Sequence, residues 1–136
     1  NDQMGAWLVE QLILEMAKKS ISIGGANVLV LGLTFKENCS DIRNTRVLDI
    51  VNALSEYNIR ADVFDPIVDP SQVYSEYGIK LVTLNNRFKY QAVIAAVAHD
   101  QFVQFSPEEW LNLIDNNGIL LDLKGIVPRE LRAIRI

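Results

Sequence analysis

Apolar residues near the start of the chain recur at helical spacing. Met4, Leu8, Leu12 and Met16 fall every fourth position, Trp7 and Leu14 widen the stripe, and Glu10, Gln11, Glu15, Lys18 and Lys19 lie mostly elsewhere. This pattern predicts a helix over 4–19, with Gly24 and Gly25 closing the segment. A stripe this broad packs against its own domain, a further domain or a second subunit, and the sequence does not choose among them. Beyond Gly25 the period changes. Residues 27–33 form an unbroken apolar run of the kind buried on both faces of a parallel sheet. Residues 45–57 return to helical spacing, with Val47, Leu48, Ile50, Val51 and Leu54 turned inward.

The alternation continues. A second strand over 61–64 stops at Asp65-Pro66. A short helix over 69–77 starts with Asp69 as cap and Pro70 in the first turn. A short edge strand is expected over 80–84, a helix over 85–90 and a third apolar strand over 92–97. Ser106-Pro107-Glu108-Glu109 is a capping box for a helix running to about 114. Strands follow over 118–123 and 132–136, with a turn at Pro128 between them. Strands alternating with helices at this spacing predict an α/β fold: a Rossmann-like three-layer domain with a mostly parallel sheet, preceded by an N-terminal helix.

Composition narrows the classes. The 136 residues are 49% hydrophobic and 22% charged, which suits one folded domain and not a disordered chain. A net charge of -4, with no basic stripe, argues against a nucleic-acid partner. No apolar run reaches the roughly 18–20 residues of a membrane span. The first residues lack the pattern of a secretory signal, and one cysteine forms no internal disulfide, so a cytoplasmic location is the expectation. The chain opens on Asn1 inside a helical pattern, which reads as a piece of a longer polypeptide.

In doubly wound sheets ligands gather outside the carboxyl ends of the strands. The polar residues expected there are Thr34, Lys36, Asp41 and Arg43 after the first strand and Asp65 after the second. His99 and Asp100 follow the third, and Asp122 and Lys124 lie around the fourth. Lys36, Arg43 and Lys124 put cations on one rim of an acidic chain, a pattern suited to phosphate or carboxylate. A dinucleotide site fails on inspection. The first turn reads Gly32-Leu33-Thr34-Phe35-Lys36, without the second and third glycines that let backbone approach a pyrophosphate. Metal-ligand spacing is missing too.

The segment Gly32-Leu33-Thr34-Phe35-Lys36-Glu37-Asn38-Cys39-Ser40-Asp41-Ile42-Arg43-Asn44-Thr45 resembles the signature of the C-terminal, UDP-binding domain of UDP-glucose/GDP-mannose dehydrogenases. Val63-Phe64-Asp65-Pro66, Ala96-Val97-Ala98-His99 with Phe102, and Asp122-Leu123-Lys124-Gly125 resemble further family segments in the same order. Asn1-Asp2-x-Met4 is similar to the end of the helix that joins the family's two domains. The variants here look most like the branch acting on UDP-N-acetylhexosamines for capsule or O-antigen polysaccharide.

The resemblance implies part of an NAD-dependent 6-dehydrogenase. Residues 1–20 would end the central helix, and 21–136 would form the UDP-sugar-binding domain. Phe35, Lys36 and Lys124 would bind the substrate, and Arg43 would lie on the cofactor side of the interdomain cleft. A further N-terminal domain of the same polypeptide would supply the NAD fingerprint and the catalytic cysteine, and the full protein would be a homodimer. At Lys124 many relatives carry arginine; lysine keeps the charge and loses the fork.

Simpler roles stand beside these. Lys36 also reads as a solvated loop lysine, and Arg43 also reads as a partner for Asp41 or Glu37. Cys39 has no paired base nearby and reads as a loop residue. His99, the only histidine, reads as a hydrogen-bonding loop residue and not a general base. Asp65-Pro66 reads as turn chemistry, and Trp7 and Trp110 as core or interface. From other functional classes, a stand-alone nucleotide-binding module and a dimerisation module without catalysis remain open at this point.

Overall fold

A computed structural model describes residues 3–85 and 87–136. The elements are α1 (Gln3–Lys18), β1 (Asn27–Leu31), α2 (Val47–Ser55), β2 (Arg60–Phe64), α3 (Pro70–Tyr77), β3 (Tyr90–Ala95), α4 (Asp100–Val103), α5 (Pro107–Leu111), β4 (Ile114–Asp122), a 3₁₀ turn (Arg129–Leu131) and β5 (Ile134–Arg135). The five strands form one sheet in the order β2-β1-β3-β4-β5, with every neighbouring pair parallel. The α/β, Rossmann-like expectation holds.

Period-two side-chain alternation explains why β1 reads as a solid apolar run. Val28 and Val30 face one core with Leu8, Leu12 and Met16 of α1 and Ile50 and Leu54 of α2. Leu29 and Leu31 face the other, with Phe102 of α4 and Trp110 of α5. Both faces of the sheet are therefore covered. The capping box forms as expected: the Glu109 amide donates to Ser106 Oγ, and the Ser106 amide donates to the Glu109 carboxylate. Asp69 caps α3 by accepting from the Ser71 amide at 3.0 Å.

Several expectations are corrected. Helix α1 stops at Lys18, ahead of the two glycines. Ser20 turns left-handed (φ 58°), its amide donates to the Ala17 carbonyl, and the Ile21 amide donates to that of Met16, which is a Schellman closure without glycine. The inward face of α1 is Leu8, Val9, Leu12 and Met16, while Met4, Trp7 and Leu14 stay about half exposed. Residues 80–84 are not a strand, although the Val82 amide still donates to the Val63 carbonyl at 2.9 Å. The described residues of 85–90 are not helical. Phe88 closes a tight turn on Asn85, and β3 begins at Tyr90, earlier than the apolar run suggests. Helix α4, four residues long, has too little sequence for a periodicity and was not anticipated.

Two glycines permit approaches that no other residue allows. A Cβ on Gly5 would sit 2.7 Å from the Asp49 backbone and Cβ, so α1 and α2 cross in close contact there. Gly32 has φ 99°, and a Cβ on it would lie 2.4 Å from that of Val97. The ends of β1 and β3 thus meet at a point where only hydrogen fits. Gly32→Ala is expected to cost about 2–4 kcal/mol in urea unfolding, combining left-handed strain with overpacking. Gly24→Ala, which faces open space, is expected to change stability by less than about 0.5 kcal/mol.

Candidate functional site

The connection from β1 runs outward to β2 on one side, and β3, β4 and β5 extend the sheet on the other. The chain reverses direction between β1 and β3, and in such sheets the crevice outside that reversal is where ligands bind. A hollow of about 450 Å³ opens there. The end of β1 contributes Thr34 and Phe35, the end of β3 Ala96 and Val97, and the end of β4 Leu123 and Lys124. The first turns of α1 and α2 close its sides, with Trp7 on one and Arg46 on the other. An apolar lining with a few converging polar groups suits a small organic anion.

The loop from Gly32 to Arg46 is long, but its backbone is tied down at many points. The Leu33 amide donates to Asp65 Oδ2 at 2.8 Å, and the Leu33 carbonyl accepts from the Thr45 hydroxyl. Thr34 Oγ1 donates to the Lys36 carbonyl at 2.7 Å, and Tyr77 donates to the Ile42 carbonyl at 2.6 Å. The Asn38 amide donates to His99 Nδ1 at 2.9 Å. Asn38 Nδ2 donates to Asp100, and the Asp100 amide donates back to Asn38 Oδ1. Asn38 and Asn44 sit in the left-handed region that asparagine tolerates.

Asp65 collects most of these ties. Its carboxylate is buried and accepts from the Leu33, Ile67 and Val68 amides and from His99 Nε2 at 2.8 Å. Burial alone would raise its pKa. The hydrogen bond from His99 and those from the Ile67 and Leu33 amides outweigh burial and hold it below the ordinary carboxylate value. The reading of Asp65-Pro66 as turn chemistry holds, and the carboxylate also reaches across to the ends of β1 and β3. His99 is fully buried and hydrogen-bonded, as expected of a loop-holding residue.

Asp122 plays the same part at the end of β4. Oδ1 accepts from the amides of Lys124, Gly125 and Ile126, and Oδ2 accepts from the Val127 amide and from Arg135. The turn that carries Lys124 is wrapped around a buried carboxylate, so the lysine projects from a fixed backbone.

Phe35 and Lys124 therefore meet at one hollow, although 89 positions apart in the sequence. Lys36 is exposed on the same loop but lies outside the hollow's lining. Arg43 also lies outside it, and its guanidinium pairs with Asp41 at 2.7 Å. That hydrogen-bonded pair holds the Asp41 carboxyl down to about 2, although both groups are open to solvent. Cys39 is half-buried. Trp110 is core and Trp7 is half exposed at the hollow. The sequence reading missed Arg46, Asp49 and Trp7 as lining residues. Nothing local marks them, because they converge only through the packing of α1 on α2.

Residues 29–129 match the UDP binding domain of the UDP-glucose/GDP-mannose dehydrogenase family. The chain belongs to this family. It is 46% identical over all 136 residues to UDP-N-acetyl-D-glucosamine 6-dehydrogenase of Salmonella typhi, covering 32% of that protein. It is 35% identical to Protein CapL of Staphylococcus aureus, with 96% of this chain aligned to 30% of that one. The chain spans about a third of the length of the curated relatives it matches. Its fold is shared with the NDP-N-acetyl-D-galactosaminuronic acid dehydrogenase of Methanosarcina mazei Go1. That likeness has a TM-score of 0.82 at 16% identity and covers 96% of this chain and 27% of that one. The resemblance inferred from residues 32–45 is thereby borne out, and the family segment ends just past the Lys124 turn.

The ionisation of Asp65 makes a testable contribution to stability. A carboxyl whose pKa is lower in the folded than in the unfolded chain stabilises the fold fully above the unfolded value, about 3.9, and loses that contribution as pH falls through the folded value. Asp65→Asn, which would turn an amide donor toward existing N–H donors, is expected to cost about 2–3 kcal/mol at pH 7. The variant should also show a shallower loss of stability below about pH 4 than the parent, measured by urea unfolding across pH.

Proposed function

We propose that the chain is the UDP-sugar-binding part of an NAD-dependent nucleotide-sugar 6-dehydrogenase, oxidising a UDP-hexose or UDP-N-acetylhexosamine to the uronic acid for capsule or O-antigen polysaccharide. One observation carries the reading: Phe35 and Lys124, from two separate family segments, line a single hollow at the reversal point of the sheet. The similarity to UDP-N-acetyl-D-glucosamine 6-dehydrogenases over the whole chain supports the substrate class.

In this reading Lys124 offsets diphosphate charge as a compact ammonium, and Phe35 lays its exposed ring beside the ligand. Lys36, exposed on the same loop but outside the lining, adds long-range attraction more than a fixed contact. Arg43, held by Asp41, faces the cofactor side of the interdomain cleft. The NAD fingerprint and the catalytic cysteine belong to an N-terminal domain of the same polypeptide. This chain contains neither the glycine fingerprint nor a cysteine with a base beside it. Residues 1–20 end the helix joining the domains, and 21–136 form the UDP-sugar domain. The half-exposed Met4, Trp7 and Leu14 along α1 supply apolar surface for a homodimer or the companion domain. The same reading puts the protein in the cytoplasm; no helix of the described residues is long and apolar enough to cross a membrane.

Calorimetric titration of the chain tests the assignment. UDP is expected to bind weakly, NAD not at all, and Lys124→Ala should weaken UDP binding about tenfold through loss of a charge-assisted contact. Binding of NAD in preference to UDP, or UDP affinity unchanged in Lys124→Ala, would overturn it.

A further inference from the structure

The hydrogen bonds around His99 assign it a function that its burial conceals. The ring is 0% exposed, so it cannot touch a ligand. Its protonation pattern is fixed from two sides. The Asn38 amide donates to Nδ1 at 2.9 Å, so that nitrogen is an acceptor and carries no hydrogen. The Asp65 carboxylate already accepts from three amides, so Nε2, at 2.8 Å, must be the donor to it. The ring therefore spans from the carboxylate at the end of β2 to the middle of the loop that follows β1. Phe102 packs 5.6 Å from it, centroid to centroid, and fills the space behind.

The span so held is short. Leu33 is pinned to Asp65 directly, and Asn38 is pinned to the same carboxylate through the histidine. Thr34 and Phe35, which line the hollow, and the exposed Lys36 next to them in the chain lie between these two pins. Asn38 needs the support, since its backbone is left-handed (φ 59°), and its side chain is spent on the start of α4 through Asp100.

We propose that His99 is a positioning residue: through Nδ1 it fixes Asn38, and with it the Thr34–Lys36 stretch, in the conformation that receives the ligand. The proposal rests on the reading of this hollow as the UDP site. Preorganising the loop removes an ordering cost that binding would otherwise meet. Nε2 also lies 3.5 Å from Thr34 Oγ1, a long contact beside its 2.8 Å bond to Asp65. A purely structural role would depend on this Nε2 side and on filling space; the positioning role depends on the acceptor facing Asn38.

Two near-isosteric substitutions separate these roles. Asparagine can place its carbonyl oxygen near Nδ1 and keep the acceptor for Asn38, but it loses the donor to Asp65. Glutamine can place its amide near Nε2 and keep that donor, but it loses the acceptor. Urea unfolding, UDP calorimetry and amide hydrogen exchange would be measured for both variants of the chain. Both variants are expected to be less stable than the parent. His99→Asn should keep UDP affinity within about threefold and leave Asn38 amide protection in place. His99→Gln should lose about tenfold or more in affinity and in Asn38 protection. Equal effects of the two substitutions on affinity and on Asn38 exchange would overturn the proposal.

Because His99 is the chain's only histidine, its ring ¹⁵N shifts in the unaltered protein give a check that needs no variant. The expected signature is hydrogen on Nε2 and a bare, hydrogen-bonded Nδ1; the opposite tautomer would overturn the proposal even if neither variant folds. If the unaltered chain fails to bind UDP, the functional reading falls. The exchange comparison then still decides whether His99 holds the loop.

Discussion

The carboxylate of Asp65 is the constraint on which the site depends. It lies just past the end of β2, yet its acceptors take the amide that follows β1, two amides of its own turn and the histidine that follows β3. Parallel strands give their neighbours no hydrogen bonds beyond their own ends, so the loops at the carboxyl edge must find partners elsewhere. A buried charged acceptor with four donors is a strong solution, because each bond is charge-assisted and water does not compete. Its counterpart is the same device with a different carboxylate: Asp122 organises the turn after β4.

These two hubs explain how an edge made of loops can hold a hollow of defined shape. Phe35 and Lys124 are both exposed side chains on irregular backbone, which in general would be mobile. Here each is one or two residues from a backbone amide or carbonyl committed to a buried partner. The Gly32–Val97 contact brings the β1 and β3 ends close enough for the histidine to bridge them. Backbone approach, buried carboxylates and loop conformation are thus one arrangement, with the exposed cation and aromatic ring as its outer surface.

Much of this was legible in the residues. The unbroken apolar run over 27–33, the capping signals at Asp69 and Ser106, and the alternation of periods gave the α/β fold, because buried parallel strands and capped helices each leave a local pattern. The segments at 32–45, 63–66, 96–99 and 122–125 marked the family and the carboxyl edge. The errors also have physical causes. Met4, Trp7 and Leu14 fit a helical stripe as well as Val9 does, but burial depends on where α2 crosses at Gly5. The stretch over 80–84 has strand-like residues but no neighbour offering a full ladder, since Val82 finds a single carbonyl.

The three apolar strands β1–β3, the helices α1–α3 and α5, the glycine at 32 and the polar residues of the loops were set by the sequence alone, since they follow from side-chain periodicity, left-handed backbone and local capping. The tertiary structure decided which of those polar residues act together. It placed Lys124 with Phe35 and left Lys36 outside the lining and Arg43 paired with Asp41, because convergence depends on strand order, and the order β2-β1-β3-β4-β5 is not written in any local window. It also turned His99 inward: a residue's spacing gives its place along the chain, while its partners are chosen by what packs around it.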